Sequence, residues 1–292
     1  MKAIGLVANW HKKQEVLEMV RRISEFFTVR QISVYLSEHN DTPGEVGVES
    51  IPLSEFPGTV DIVIVLGGDG TILRVARELS GKYVPILGVN LGQMGFLAEV
   101  EPVMLEQSLE KLLTGSYEVR HRLMLSARVL RDERPVAEYT ALNDIVISKG
   151  PFSRIIYVDT FVNNKPLESY PGDGIIVSTP TGSTGYSLSA GGPIVNPALD
   201  VMIITPICPH LLHHRSVVVA SSERVLMKVR TRQAEVVLTV DGQVGFTLQD
   251  GDVVVATRAP LTTPLIQLEG TDFYMLLHSK LMKVIRREPE RV

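Results

Sequence analysis

The 292-residue chain has one cysteine, Cys208, which excludes an internal disulfide and a cysteine-based zinc site and fits a reducing compartment. No apolar run approaches the ~18 residues of a membrane span. The short run Ala3 to Ala8 ends before His11, Lys12 and Lys13, too brief for the ~7–15-residue apolar region of a secretory signal. A cytoplasmic location is the expectation. Basic residues form no block: 29 Lys and Arg against 33 Asp and Glu leave a net charge of −4, so the chain cannot release many counterions from a polyanion. Nucleic acid and membrane surfaces are therefore not expected as partners, and any anionic ligand must be held locally. Internal repeats and low-complexity linkers are missing, as are the GxxxxGK[ST] and GxGxxG phosphate loops.

What is present is ample apolar material, 45% of residues, in a length that suits roughly two domains of ~150 residues. The first hundred residues alternate strand and helix signals. Ala3 to Val7 is a short apolar run, followed by Val16, Met19, Val20, Ile23 and Phe27 at helical spacing. Asp61 to Leu66 ends in Gly67-Gly68 and is followed by Ile72, Val75, Ala76 and Leu79 on one helical face, closed by Gly81. Pro85 to Val89 adds a strand, and a further helix reaches Leu113. Beyond it the pattern changes to period-two runs, at Ile155 to Val162, Gly174 to Ser178, Ser216 to Ala220, Glu223 to Val229, Glu235 to Val240 and Asp252 to Ala256, with hairpin signals at Asn163-Asn164 and Asp241-Gly242. Phe273, Leu276, Leu277, Lys280, Leu281 and Val284 predict a closing amphipathic helix, and Arg286 to Val292 is polar enough to fray. The expected architecture is an N-terminal α/β, Rossmann-like domain (1–103 with 270–292), a mainly β C-terminal domain (104–269), and the closing helix.

Three glycines surround one carboxylate in Gly67-Gly68-Asp69-Gly70-Thr71, at the C-terminal end of a strand and the start of a helix. Backbone N–H groups there can approach a phosphate, aided by the helix N-terminus, without any lysine. Asp69 is out of place in a purely anion-binding turn. It makes sense if it accepts a proton from a hydroxyl or orients a metal beside the phosphate; the alternative is a helix cap. This pentapeptide resembles the GGDGT signature of the NAD kinase family, shared with diacylglycerol and sphingosine kinases and, as GGDGS, with phosphofructokinases.

A second segment narrows the resemblance. Asp173-Gly174 followed by Ser178-Thr179-Pro180-Thr181-Gly182-Ser183-Thr184-Gly185-Tyr186-Ser187-Leu188-Ser189-Ala190-Gly191-Gly192-Pro193 strongly resembles the NAD kinase stretch DG…STPTGSTAYSLSAGGP. A run so rich in hydroxyls reads as an open loop for ribose and pyrophosphate oxygens, with Tyr186 offering an aromatic face to a base; the alternative is a flexible linker. Asn143-Asp144 matches the family's ALNE/D segment, Phe96 its LGxLGFL loop, and Asp241-Gly242-Gln243 its DGQ. Without the resemblance these are equally an Asx turn, a core phenylalanine and a hairpin turn, the last being the favoured reading for Asp241-Gly242. The chain departs from the family in having Pro171-Gly172 where an arginine precedes Asp-Gly, and Gly185 in place of alanine. His210, His213 and His214 beside Cys208 lack metal-site spacing, and no protein metal site is expected.

The resemblance implies ATP-dependent phosphorylation of the adenosine-ribose 2′-hydroxyl of NAD to NADP, with Asp69 as the general base and Mg²⁺ arriving with ATP. It further implies contacts to NAD from Asp69, Gly70, Arg74, Phe96, Asn143, Asp144, Arg154, Asp173, Thr181, Thr184, Gly185, Tyr186, Ser187, Leu188, Ser189 and Gln243. The phosphates fall to Gly67, Gly68, Gly70 and Thr71, and a homodimer or homotetramer is expected.

Overall fold

The computed structural model describes residues 1–38, 46–92, 95–151, 154–210, 214–231 and 234–285, the last five by their backbone alone. The chain divides into two compact units, Met1–Arg120 with Pro264–Val292, and His121–Thr263.

In the first unit, five parallel strands, β1 (Ala3–Ala8), β2 (Ser33–Ser37), β3 (Glu49–Ile51), β4 (Ile62–Gly67) and β5 (Ile86–Asn90), lie in the order β3-β2-β1-β4-β5. Every residue of β1, β4 and β5 is buried, which is why they read as unbroken apolar runs: helices cover both faces. On one face, Ile62, Ile64 and Leu66 of β4 meet Val16, Met19, Val20, Ile23 and Phe27 of helix α1 (Lys13–Thr28) and Leu105, Leu109 and Leu112 of helix α3 (Leu105–Thr114). Helix α2 (Asp69–Glu78) packs on β4 and β5 and buries Ile72, Val75 and Ala76. The three α3 leucines explain why the boundary falls after Arg120 and not at 103: their apolar stripe belongs to the first core. Gly115, at φ +74, ends α3 in the left-handed conformation.

The second unit is a sandwich of two antiparallel arrays. Its strands are β6 (Tyr117–Arg131), β7 (Arg134–Ala141), β8 (Asp144–Lys149), β9 (Ile156–Val162), β10 (Lys165–Gly172), β11 (Gly174–Ser178), β12 (Val201–Ile207), β13 (Val217–Ala220), β14 (Val225–Arg230), β15 (Val236–Val240), β16 (Val244–Leu248) and β17 (Val253–Leu268). One sheet runs β13-β12-β11-β8-β15-β16. Opposite it, β10, β9, β14 and β17 are neighbours in that order, and β6 pairs β17 and β7. Alternate residues such as Ile145, Ile147, Ile175, Val177, Val158, Met227 and Val229 fill the space between them. Both expected hairpin turns form, with φ of +49 and +65 at Asn163 and Asn164 and +50 and +64 at Asp241 and Gly242.

The closing helix runs Phe273–Ile285; the side chains of Leu281 and Val284 and the polar tail from Arg286 lie outside the described residues. Among the described residues no helix is long and apolar enough to cross a membrane.

Candidate active site

In an open parallel sheet, ligands bind beyond the carboxyl ends of the strands where the strand order reverses. Here that point lies between β1 and β4, since β1 leads to β2 on one side while β4 lies on the other. Asn9 follows β1 there, its N–H donating to the Leu66 carbonyl (2.9 Å) and its amide nitrogen reaching the Thr71 hydroxyl (3.4 Å). Gly67, Gly68, Asp69, Gly70 and Thr71 form the β4–α2 turn. Gly68 occupies the cap position, so Asp69 is the first helical residue and does not cap the helix. Its carboxylate instead crosses to the segment after β5: Oδ2 accepts from the Phe96 N–H (2.8 Å), and Oδ1 from those of Leu97 (3.1 Å) and Ala98 (3.3 Å). A carboxylate has about four lone-pair sites. Among the described residues, Oδ1 is doubly engaged while Oδ2 carries one bond and retains a direction for a further donor.

Gly95 makes this grip possible. A Cβ there would stand 1.7 Å from Asp69 Oδ1 and 2.2 Å from Cγ, so any side chain must displace the carboxylate. If Asp69 carries chemistry, Gly95→Ala is expected to lower turnover on the order of ten- to a hundredfold, through an overpacking cost of about 1–3 kcal/mol at its carboxylate. Steady-state kinetics on the folded variant check this, and turnover within twofold of the parent contradicts it.

In the second unit, Asn143 and Asp144 sit at the corner leading into β8, and the carboxylate of Asp241 builds that corner. It accepts from the N–H groups of Leu142 (3.1 Å), Asn143 (2.8 Å) and Asp144 (3.2 Å), while the Asp241 N–H donates to the Asp144 carbonyl (3.0 Å). Asp241-Gly242 is thus the expected hairpin turn and also an anchor, a role the favoured reading of the sequence omitted. Gly182 lies against the same corner; a Cβ on it would stand 2.1 Å from the Asn143 carbonyl oxygen. The Asn143 side-chain oxygen is buried with no hydrogen-bond partner among the described residues, an acceptor available to a ligand N–H.

The hydroxyl-rich segment is not an open loop. Thr181–Thr184 form a 3₁₀ turn and Tyr186–Ser189 one turn of helix (α4), with hydroxyls folded inward. Thr179 donates to the Leu142 carbonyl (2.7 Å) and accepts from Gly182 (3.0 Å), Ser183 donates to Pro180 (2.6 Å), Thr184 donates to Thr181 (3.2 Å), and Ser187 pairs with Thr205 (3.0 Å). Short hydroxyl side chains satisfy the nearby backbone of such tight turns. Thr181 is buried, whereas Tyr186, Leu188 and Ser189 face outward. Gly185 lies beside the corner: a Cβ on it would stand 3.4 Å from the Asn143 amide nitrogen and 3.8 Å from an Asp144 oxygen.

Burial, then the nearby Cys208, Asp173 and Asp144, hold the Tyr186 hydroxyl above its ordinary value, so it remains a neutral phenol. Asp173 pairs with Lys149 (2.9 Å), so a cation from the end of β8 stands beside it. Gly172 passes 2.8 Å, measured from its would-be Cβ, from the Ile207 carbonyl oxygen. Gln243 is exposed at the tip of the β15–β16 hairpin.

Of the arginines, Arg74 pairs with Glu78 one turn along α2 (3.1 Å), as a half-exposed helical ion pair. Arg154 is exposed, and Phe152-Ser153 before it lie outside the described residues, as do Gln93-Met94. His214 is buried edge-on to Tyr170 (5.0 Å between rings), and His210 anchors its N–H on the Pro171 carbonyl (2.9 Å); His213 lies outside the described residues.

Burial, then the charge of Asp241, push the Asp144 carboxyl up to about 7. The folded state therefore holds this proton more tightly than the unfolded chain. The resulting stability is complete below about pH 4 and is lost as pH rises through about 7. Asp144→Asn removes that loss, so the stability of the variant relative to the parent should rise between about pH 4 and about pH 7. Urea titrations at the two ends of that range check it; a difference that does not change with pH refutes it.

The first unit's glycine turn and carboxylate at the switch point, and the second unit's amide, carboxylates and outward tyrosine, define a nucleotide-binding protein. The chain matches the ATP-NAD kinase N-terminal domain over residues 4–117 and the ATP-NAD kinase C-terminal domain over residues 142–268. It belongs to the ATP-NAD kinase family. An NAD kinase from Natranaerobius thermophilus is 51% identical over 283 residues, covering 96% of this chain and 98% of that one. One from Moorella thermoacetica is 45% identical over 96% of this chain and 89% of its own length. Among solved structures, an NAD kinase from Archaeoglobus fulgidus in complex with ATP superposes with a TM-score of 0.75 at 27% identity, covering 96% of this chain and 98% of that one. The yeast NADH kinase complexed with NADH shares the fold, with a TM-score of 0.83 at 23% identity, over 100% of this chain and 90% of that one.

Proposed function

We propose that the protein transfers the γ-phosphoryl group of ATP to the adenosine-ribose 2′-hydroxyl of NAD, giving NADP and ADP. The observation that carries this reading is the Asp69 carboxylate, gripped by three backbone N–H groups and, among the described residues, keeping one oxygen direction open, at the end of a glycine turn suited to phosphate. Asp69 takes the hydroxyl proton as the ribose oxygen bonds to phosphorus and the bond to the ADP oxygen breaks. A carboxylate is a weak base toward an alcohol, so the proton moves late, and positioning with charge neutralisation supplies most of the acceleration.

Asn143 and Asp144 are suited to the nucleoside. The buried amide oxygen of Asn143 accepts an exocyclic N–H of adenine, a carboxyl oxygen of Asp144 accepts a ribose O–H, and the outward ring of Tyr186 offers a face to a base. The Mg²⁺ of this reading is the ion carried by the triphosphate, neutralising its charge. Cytoplasmic action as a homodimer or homotetramer completes the proposal; sedimentation of the purified protein at micromolar concentration tests the assembly.

The activity is tested by incubating the protein with ATP, Mg²⁺ and NAD and reading NADP with an NADP-specific dehydrogenase. NADP formation is expected. Binding of NAD without product points instead to a sensor, and phosphorylation of diacylglycerol in place of NAD to a lipid kinase; either overturns the reading.

A further inference from the structure

The Lys280 ammonium, on the C-terminal helix, lies 4.1 Å from the centre of the Phe96 ring. The backbone N–H of that same Phe96 donates to Asp69 Oδ2 at 2.8 Å. An aromatic face carries negative charge density that attracts an ammonium, so a cation seated on the ring restrains the residue to which the ring belongs. With Leu97 and Ala98 donating to Oδ1, restraint of Phe96 restrains the whole amide grip, and Gly95 leaves the carboxylate no slack against the preceding peptide.

We propose that Lys280 is a positioning residue: through the Phe96 ring it fixes the 95–98 segment whose amides aim Asp69. The chain's last helix thereby acts on the reacting carboxylate through the Phe96 ring. The inference rests on Asp69 being the base, and its test separates the two.

Five variants of the full chain are compared: Lys280→Met, Lys280→Arg, Phe96→Leu, the Lys280→Met/Phe96→Leu double variant, and Asp69→Asn. Lys280→Met is expected to lower kcat on the order of tenfold with KM for NAD within about twofold, because the loss falls on the aim of the base and not on nucleotide binding. Lys280→Arg, which keeps a cation over the ring, should restore most of kcat. In the Phe96→Leu background the lysine change should cost nothing further, since its route is already cut. Amide hydrogen exchange across residues 95–98 should be faster in Lys280→Met than in the parent.

Additive losses in the double variant, or unchanged exchange with unchanged kcat, overturn the proposal. Normal turnover by Asp69→Asn overturns the base assignment, while the exchange measurement still decides whether Lys280 holds the segment. Should Lys280→Met fail to fold, Lys280→Gln takes its place in the same comparison.

Discussion

Replacing Asp69 by asparagine is expected to reduce NADP formation by about 10²–10⁴-fold, the usual contribution of a positioned general base, while NAD still binds. Asparagine is isosteric but presents one acceptor oxygen where aspartate presents two. With its oxygen at the Oδ1 position it keeps the Leu97 and Ala98 donors and turns an NH₂ group toward the Phe96 N–H. The loss therefore combines a missing proton acceptor with a loosened grip. Thermal melting and calorimetric NAD binding set the second part beside the first: a folded variant with NAD affinity within a few-fold of the parent and no turnover assigns the loss to chemistry. Near-normal turnover removes Asp69 from the base role.

Asp241→Ala should produce the largest loss of stability. Its carboxylate satisfies three N–H groups, two of them through buried hydrogen bonds, in a corner where Asp241 is only 7% exposed. A buried donor left unsatisfied costs about 1–3 kcal/mol, and water entering the cavity recovers part of it, so a net loss of about 3 kcal/mol or more is expected. That is a large share of a typical folding free energy of about 5–15 kcal/mol. NAD affinity should fall with it, because Asn143 and Asp144 lose the group that sets their backbone. Asp241→Asn, which keeps an acceptor but sheds the charge, should be milder and should let the Asp144 carboxyl ionise at lower pH. Urea unfolding checks the ranking; a loss below about 1 kcal/mol for the alanine variant would show that the corner stands without this carboxylate.

The β4–α2 unit was fully legible in the sequence because burial on both faces turns a strand into a continuous apolar run, and the glycines mark where it stops. Strand β2, Ser-Val-Tyr-Leu-Ser, and the three-residue β3 escaped because they are short and partly exposed. The long β6 escaped because charged residues at its exposed positions hide the alternation, and β17 was seen only in its first few residues. The site was legible as motifs but not as bonds. Asp69 meets amides 27 to 29 residues further on, and Asp241 meets amides 97 to 99 residues earlier, so neither partnership leaves a local trace. For Asp241 the turn chemistry was already a sufficient explanation of Asp-Gly, and nothing in the pattern asked for a second one. The inward turn of the hydroxyls was hidden for a different reason. Composition reports how many oxygens a segment carries, and only the backbone path decides whether they point at solvent or at its own carbonyls.

That inward turn has a bearing on regulation. Ser178, Thr179, Ser183 and Ser187 are entirely enclosed, and Thr181 nearly so, while Thr184 is half-buried, leaving Ser189 as the exposed residue among the serines and threonines of the segment. A modifying enzyme scanning this serine- and threonine-rich stretch would find its apparent acceptors sheltered, since appending a phosphate or sugar would first require the paired turns to come apart. Covalent control of the folded protein through this segment is thereby confined to its outer rim.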